Sequence, residues 1–211
     1  MIFNFSFGEL TFKGFNISVT KSEFRQRITD LEVTLNISRN HSNLLRKMVE
    51  NYWSFLIKLD KSNFNDYAFR LKVVSSFEKV KMKLNDSIVS IMNMKLEEMK
   101  RSEKDKNNPY LMALIDAYSD LIMNLKMLRA KMSNVDDKNI SGNILREIVE
   151  TFLSIIIFTV RKFYEKILEM KNNTPRPYLV KHVWVVKMKN KLDSILSMLI
   201  KVYDNLTSIL V

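Results

Sequence analysis

The pattern of apolar and polar positions changes once along the chain, at about Thr20. Up to that point apolar residues alternate with polar ones, and glycine occurs where short antiparallel strands would turn. The sequence therefore predicts a small N-terminal β-hairpin over residues 1–20. A ribbon of this size is only marginally stable alone. Its aromatic face is expected to contact a membrane or a neighbouring subunit, and the alternative is that it packs on the chain's own helices as part of the core. The phenylalanines of this segment are Phe3, Phe5, Phe7, Phe12 and Phe15.

A helical pattern follows, starting with a capping box at Thr20–Glu23. The two polar exceptions in its heptad seam, Ser38 and Ser42, are predicted to set the register of an assembly. Nothing in the sequence breaks the helix, so it is predicted to run from Lys21 to Leu59, about 58 Å at 1.5 Å per residue. The apolar seam residues are Ile28, Leu31, Leu35, Leu45, Val49, Tyr52, Leu56 and Leu59.

A second long helix is predicted from about Phe64 to about Lys100, with an apolar stripe that drifts after Val74. Only the polar turn Asp60–Asn63 separates it from the first helix. Two long helices joined by so short a turn are expected to fold back antiparallel. Residues 21–100 are therefore predicted to form a long helical hairpin.

Three further helices are predicted between polar linkers. The third helix begins at Pro109, the fourth covers about Asn143–Lys171, and the last covers residues 178–211. The apolar run Ile148–Val160 contains Glu150 and is too short to cross a bilayer, so it is predicted to be a buried core segment. The predicted fold is mainly α, a helical bundle divided into segments 1–20, 21–100, 101–171 and 178–211.

The composition excludes several kinds of chemistry. The chain has no cysteine, two histidines and three glycines, so a thiolate metal site, a Ser-His-Asp triad and a glycine-rich nucleotide loop are not expected. We therefore expect no cofactor, no metal and no enzymatic activity. Without a signal-peptide pattern, the sequence predicts a cytoplasmic protein. A peripheral position at the membrane and a place in a virion are the alternatives.

One stretch resembles a catalytic motif. Arg176 and His182 follow a helix break, and their spacing loosely resembles the Arg-x(4–6)-His signature of HEPN-type ribonucleases. The resemblance implies a histidine that acts as acid or base and an arginine that holds the scissile phosphate. Pro177 falls where this motif needs a regular helix, so no catalytic residue is assigned.

The net charge of +11 predicts an anionic partner, either a phospholipid surface or nucleic acid. Basic residues are concentrated in residues 70–83 and 161–191, and Trp184 in the second region is a candidate exposed aromatic residue. A lysine-rich surface that meets only solvent is the alternative. The candidate anion-binding residues are Arg25, Arg27, Lys72, Lys79, Lys83, Arg161, Lys162, Lys181, Lys187 and Lys191.

Three stretches resemble the ESCRT-III family, its archaeal cell-division members in particular: His41–Glu50, Asp60–Val74 and Leu125–Val135, within about residues 21–157. The resemblance implies protomers that stack side by side through a long helical hairpin on an anionic membrane, with an AAA ATPase as partner. In that family the C-terminal portion is acidic, whereas residues 161–191 of this chain are basic.

The first functional hypothesis is accordingly a non-enzymatic, ESCRT-III-like assembly protein that forms homo-oligomers on an anionic membrane. A basic structural protein that coats nucleic acid, in a nucleoid or a virion, is the main alternative. A third hypothesis is an accessory subunit of a larger complex, in which the N-terminal ribbon docks on a partner. The composition fits all three.

Overall fold

The computed structural model describes residues 21–101, 108–173 and 175–210, without the side chains of residues 86 and 87. The predicted N-terminal β-hairpin and its phenylalanines lie outside the described residues. Within them the chain is a mainly helical bundle, as predicted. Its elements are α1 (Lys21–Leu35), α2 (Arg39–Asp60), α3 (Tyr67–Lys83), a π-helical segment (Leu84–Val89), α4 (Ser90–Arg101), α5 (Pro109–Ser133), α6 (Gly142–Asn173) and α7 (Tyr178–Thr207).

Local sequence explains where several helices begin. Ser38, Asp66 and Asn108 each precede a helix and accept a hydrogen bond from a first-turn backbone N–H, at 3.3, 2.9 and 3.1 Å. Pro109 follows Asn108 at the start of α5, where its missing N–H costs nothing. The start of α7 differs, because Pro177 precedes it and no side chain caps its first turn.

The prediction of one unbroken helix from Lys21 to Leu59 is wrong. α1 ends at Leu35, Asn36 has a left-handed backbone with φ 50°, and Ser38 caps α2. Asparagine is one of the few residues that adopt this conformation at low cost. The polar interruption of the heptad is therefore a turn between two helices, and it does not set the register of a continuous seam.

α1 and α2 pack antiparallel across this turn. Near the turn, the Glu32 carboxylate accepts hydrogen bonds from the Ser42 hydroxyl and, at 2.9 Å, from the Arg46 guanidinium. At the far end of the pair, Glu50 forms an ion pair with Arg25 at 2.6 Å. These contacts close a short helical hairpin within residues 21–60.

The long antiparallel hairpin predicted for residues 21–100 is also wrong. α2 packs against α6 and α7, α3 packs against α5 and α7, and α2 and α3 barely touch each other. The physical reason lies in α6, where Ile148, Phe152 and Ile156 are fully buried. Packing α2 on this apolar helix removes more apolar surface from water than packing it on the more polar α3.

The predicted seam residues belong to the core of the single chain. They are therefore covered by the chain's own helices and are not left for a neighbouring subunit. Ile28, Leu31, Leu45, Val49 and Tyr52 are buried, and Leu35, Leu56 and Leu59 are partly buried against the same core.

The third, fourth and last predicted helices are confirmed as α5, α6 and α7, with boundaries within a few residues of those predicted. α6 lies at the centre, with α1, α2, α5 and α7 packed on it. Its run Ile148–Val160 is largely buried, as predicted. Among the described residues, no helix is long and apolar enough to cross a membrane.

The second long helix is confirmed with one irregularity. α3, the π-helical segment and α4 follow one another without a break from Tyr67 to Arg101. The wider π turn adds one residue to the helix and shifts the apolar stripe of α4 relative to that of α3. The segment is anchored on α5, because the Arg129 guanidinium donates to Asn85 Oδ1 at 2.7 Å.

Candidate functional site

The predicted anion-binding residues do not form one surface. Three of them are engaged within the fold or across its helices: Arg161 with Glu165 at 2.7 Å, Lys162 with Asp120 at 2.8 Å, and Arg25 with Glu50. Lys72, Lys79 and Lys83 lie exposed along α3, and Lys187 and Lys191 lie exposed on α7.

Arg27, another predicted anion-binding residue, is half-buried. Its guanidinium lies over the Phe24 ring, 5.3 Å from the ring centroid. Burial lowers the pKa of Arg27, while the nearby Glu23 and Glu150 carboxylates raise it. An arginine with acidic neighbours and a partly desolvated guanidinium supports the packing of α1 on α6 and is a poor contact for an external anion.

Exposed apolar side chains cluster instead at the beginning of α7. Tyr178, Leu179, Val183 and Val186 are 78, 75, 49 and 43% exposed. Steps of four and three residues place Leu179, Val183 and Val186 on one side of the helix. A contiguous exposed apolar patch of this kind marks an interaction site, whereas single exposed apolar residues do not.

Positive charge accompanies this patch. Residues 171–191 contain six lysine and arginine residues and no aspartate or glutamate. Arg176, Lys187 and Lys191 are exposed, and no carboxylate among the described residues lies within ion-pair distance of them. We call Arg176, Tyr178, Leu179, Val183, Val186, Lys187 and Lys191 the α7 surface.

Two other basic residues of this region face the protein. Lys181 Nζ donates to the Lys171 carbonyl at 2.9 Å and so closes the turn between α6 and α7. Lys189 lies over the Tyr164 ring, with Nζ 5.6 Å from the centroid. Trp184, the candidate exposed aromatic residue, is partly buried against the core. Of the predicted anion-binding lysines on α7, Lys187 and Lys191 are thus exposed, whereas Lys181 is engaged within the protein.

A buried polar network fixes the middle of α7. Tyr164 Oη accepts from the Ser38 backbone N–H at 2.9 Å and lies 2.9 Å from His41 Nδ1, while His41 Nε2 lies 2.7 Å from Asp193 Oδ1. Since the Asp193 carboxylate only accepts, Nε2 carries the proton in the neutral ring, and Nδ1 accepts from the Tyr164 hydroxyl. The network joins the start of α2 to α6 and α7, so the first turns of α7 extend from an anchored point.

A shallow groove of about 240 Å³ lies between α2 and the end of α7. Its polar lining includes Lys47, Lys58 and Asp204, and Asn51 Nδ2 donates to Asp204 Oδ1 at 3.3 Å. The hydroxyls of Ser54, Thr207 and Ser208 donate to carbonyls of their own helices, so they do not converge on a ligand. In the described part of the chain, no group of three or more His, Cys, Asp or Glu side chains could hold a metal ion.

No family model, curated protein or solved structure matches the chain. The sequence pointed to Lys187 and Lys191 through their charge but missed Tyr178, Leu179, Val183 and Val186. The available signal was the absence of acidic residues from 171–191, next to valines and a leucine just after a helix break.

Proposed function

We propose that the protein is a non-enzymatic, peripheral protein that binds an anionic phospholipid surface through the α7 surface. The observation that carries the proposal is the combination of exposed aliphatic side chains with exposed basic residues that have no carboxylate partner in the part of the chain that the structure describes. Apolar side chains enter the acyl boundary of a bilayer, while lysine and arginine contact phosphate groups.

The magnitudes fit reversible attachment. Burying Leu179, which is 75% exposed, contributes on the order of 1 to 2 kcal/mol. Each exposed basic residue near an anionic surface contributes about 1 kcal/mol. Together with the two valines, the α7 surface supplies on the order of 5 kcal/mol, which is the range of a single lipid anchor and far below that of a spanning helix.

Two other occupants fit the α7 surface less well. A nucleic-acid backbone would pair with Arg176, Lys187 and Lys191 but would leave Leu179 and Val183 facing water or phosphate. A second copy of the chain could cover the aliphatic residues, but it would bring two clusters of unpaired positive charge together. Both become outcomes of the test below.

Binding to an anionic membrane is a property that the ESCRT-III resemblance also implies. Stacking of protomers through a long hairpin, which that resemblance implies as well, is not part of the proposal. That family's protomers stack through a long hairpin, whereas here α2 and α3 barely touch, and the seam residues are buried by α6 and α7. No described surface argues for an AAA ATPase partner. Arg176 and His182, the pair that resembles a ribonuclease motif, both lie exposed at the start of α7, and within the described part of the chain neither side chain has a hydrogen-bond or ion-pair partner.

Co-sedimentation with vesicles tests the proposal. We expect binding to vesicles of phosphatidylcholine mixed with phosphatidylserine, and little binding to phosphatidylcholine alone. The double variant Lys187→Glu/Lys191→Glu should weaken binding by at least about 2 kcal/mol, roughly thirtyfold, because two attractive charges become repulsive. The matched control is Lys47→Glu/Lys58→Glu, which makes the same change of net charge in the groove beside α2.

The aliphatic part of the surface has its own matched pair. Val183→Ser should weaken vesicle binding, whereas Ile57→Ser, at a nearly equal exposure of 51% on α2, should not. Equal losses from both lysine pairs would mean that net charge alone drives binding and would contradict the α7 surface. Tighter binding to duplex DNA than to vesicles, lost in Lys187→Glu/Lys191→Glu, would favour nucleic acid instead.

A further inference from the structure

The two histidines of the chain stand in opposite environments. His41 is 4% exposed and has a partner on each ring nitrogen. His182 is exposed on α7, and its ring stacks on that of Tyr178, with centroids 6.1 Å apart and planes inclined by 21°. Tyr178 is itself part of the α7 surface, so His182 lies at the place where we expect the anionic partner.

The surroundings of His182 are almost free of negative charge. On its own helix, Lys181 precedes it and Lys187 follows at a little over one turn. Across the turn, Lys171 lies in the last turn of α6, and Glu169 is already paired with Lys166 at 2.9 Å. Among the described residues, none donates to or accepts from either ring nitrogen of His182, and no carboxylate lies within ion-pair distance. Three other elements also pack on α7. Their charged and histidine residues are Arg70, Lys72, Glu78, Lys79, Lys81 and Lys83 on α3, Arg39, His41, Arg46, Lys47, Glu50, Lys58 and Asp60 on α2, and Asp86 in the π-helical segment.

We propose that protonation of His182 regulates the α7 surface, so that the protein binds anionic membranes more tightly as the pH falls. The inference rests on the membrane binding proposed above and adds its regulation. The step is the uptake of one solvent proton by the imidazole, which gives an imidazolium ion beside Tyr178. No carboxylate among residues 21–101, 108–173 and 175–210 whose side chain is described pairs with that charge, so lipid phosphate and carboxylate groups become its partners.

The direction of the effect follows from linkage. Histidine is the side chain whose charge changes between about pH 5 and 8. An anionic surface binds the protonated form better, and by reciprocity the bound state takes up the proton more readily. The Tyr178 ring is compatible with both forms, because an aromatic face also attracts a cation. One added charge next to an anionic surface is expected to raise the affinity about fivefold.

The test measures vesicle binding at about pH 8 and about pH 5.5. The probe is vesicles of phosphatidylcholine with phosphatidylserine, and pure phosphatidylcholine is the control. In the unaltered chain we expect binding about fivefold tighter at the lower pH. In His182→Gln, the ratio between the two pH values should fall close to one. In His182→Lys, which is charged throughout, the ratio should also be close to one, with binding at about pH 8 above that of the unaltered chain.

The outcomes separate this inference from the proposed function. Binding that is independent of pH in the unaltered chain, or an acid-induced increase that persists in His182→Gln, overturns the role of His182 and leaves membrane binding in place. Absence of binding to anionic vesicles at both pH values overturns the proposed function and this inference together. Circular dichroism at both pH values shows that each variant is folded when it is measured.

Discussion

Replacing His41 with alanine tests whether the buried network holds α7 to the rest of the bundle. The change removes the ring that accepts from the Tyr164 hydroxyl and donates to the Asp193 carboxylate. It leaves the Tyr164 hydroxyl without its acceptor and opens a cavity at a position that is only 4% exposed. Each of these losses destabilises the folded state, and the free energy of each can be estimated separately.

The hydrogen bond to Tyr164 contributes about 1 kcal/mol to the free energy of unfolding. Removing it costs somewhat more than this, because the buried Tyr164 hydroxyl is left without an acceptor. The bond to Asp193 is worth about 1 kcal/mol, because the Asp193 side chain is 63% exposed and water screens the interaction. The cavity adds about 1 to 2 kcal/mol. We therefore expect His41→Ala to lower the free energy of unfolding by about 3 to 4 kcal/mol, or the melting temperature by roughly 10 °C.

Urea unfolding followed by circular dichroism measures this change. The matched control is His182→Ala, the same substitution at an exposed position, which should stay within about 0.5 kcal/mol of the unaltered chain. Asp193→Ala should cost about 1 kcal/mol, less than His41→Ala, because it removes only the exposed end of the network. A loss below about 1 kcal/mol in His41→Ala would refute the idea that this network anchors α7.

Two further predictions concern α1 and α2. Asn36→Gly should leave stability nearly unchanged, whereas Asn36→Val should lower it by about 1 to 2 kcal/mol in thermal melts, because a β-branched residue is strained at a φ of 50°; equal effects would argue against the left-handed turn. Hydrogen bonds from Ser42 and Arg46 lower the pKa of Glu32, and contacts with Lys21 and Arg25 lower that of Glu50. A carboxyl whose folded pKa is depressed stabilises the fold above its unfolded pKa and loses that contribution as the pH falls through the folded value. Glu32→Gln should therefore flatten the loss of stability below about pH 4, and an unchanged acid slope in urea titrations would count against this role.

The sequence predicted those helices whose apolar spacing is regular and whose ends carry clear signals. Pro109 begins α5 and the break around Pro177 precedes α7, and both boundaries agree with the structure. The turn at Asn36 was missed because asparagine is tolerated inside helices, so the same residue fits a helix or a left-handed turn. Which one forms depends on the packing of α1 and α2, and the local spacing of apolar residues does not predict that packing.

Periodicity also shows which side of a helix is apolar but not which helix will cover it. The heptad through Leu45 and Val49 was predicted to meet α3 or another subunit, and α6 and α7 cover it instead. The same limit applies to the candidate site, because a stripe such as Leu179 and Val183 has the appearance of a core stripe until its exposure is known. The His41–Asp193 contact joins residues far apart in the chain and had no local signal.

The π-helical segment at Leu84–Val89 has an evolutionary consequence. One added residue rotates the rest of the helix by about 100°, so α3 can pack on both α5 and α7 while α4 packs on α5 along one continuous helix. Inserting one codon into an α-helical stretch would produce such a segment. In a homologous chain without the extra residue, the apolar faces of α3 and α4 would lie on the same side of the helix. An alignment with such a chain should show a gap of one position within this segment. Such a gap would identify the position at which the two halves of the helix came to face different parts of the bundle.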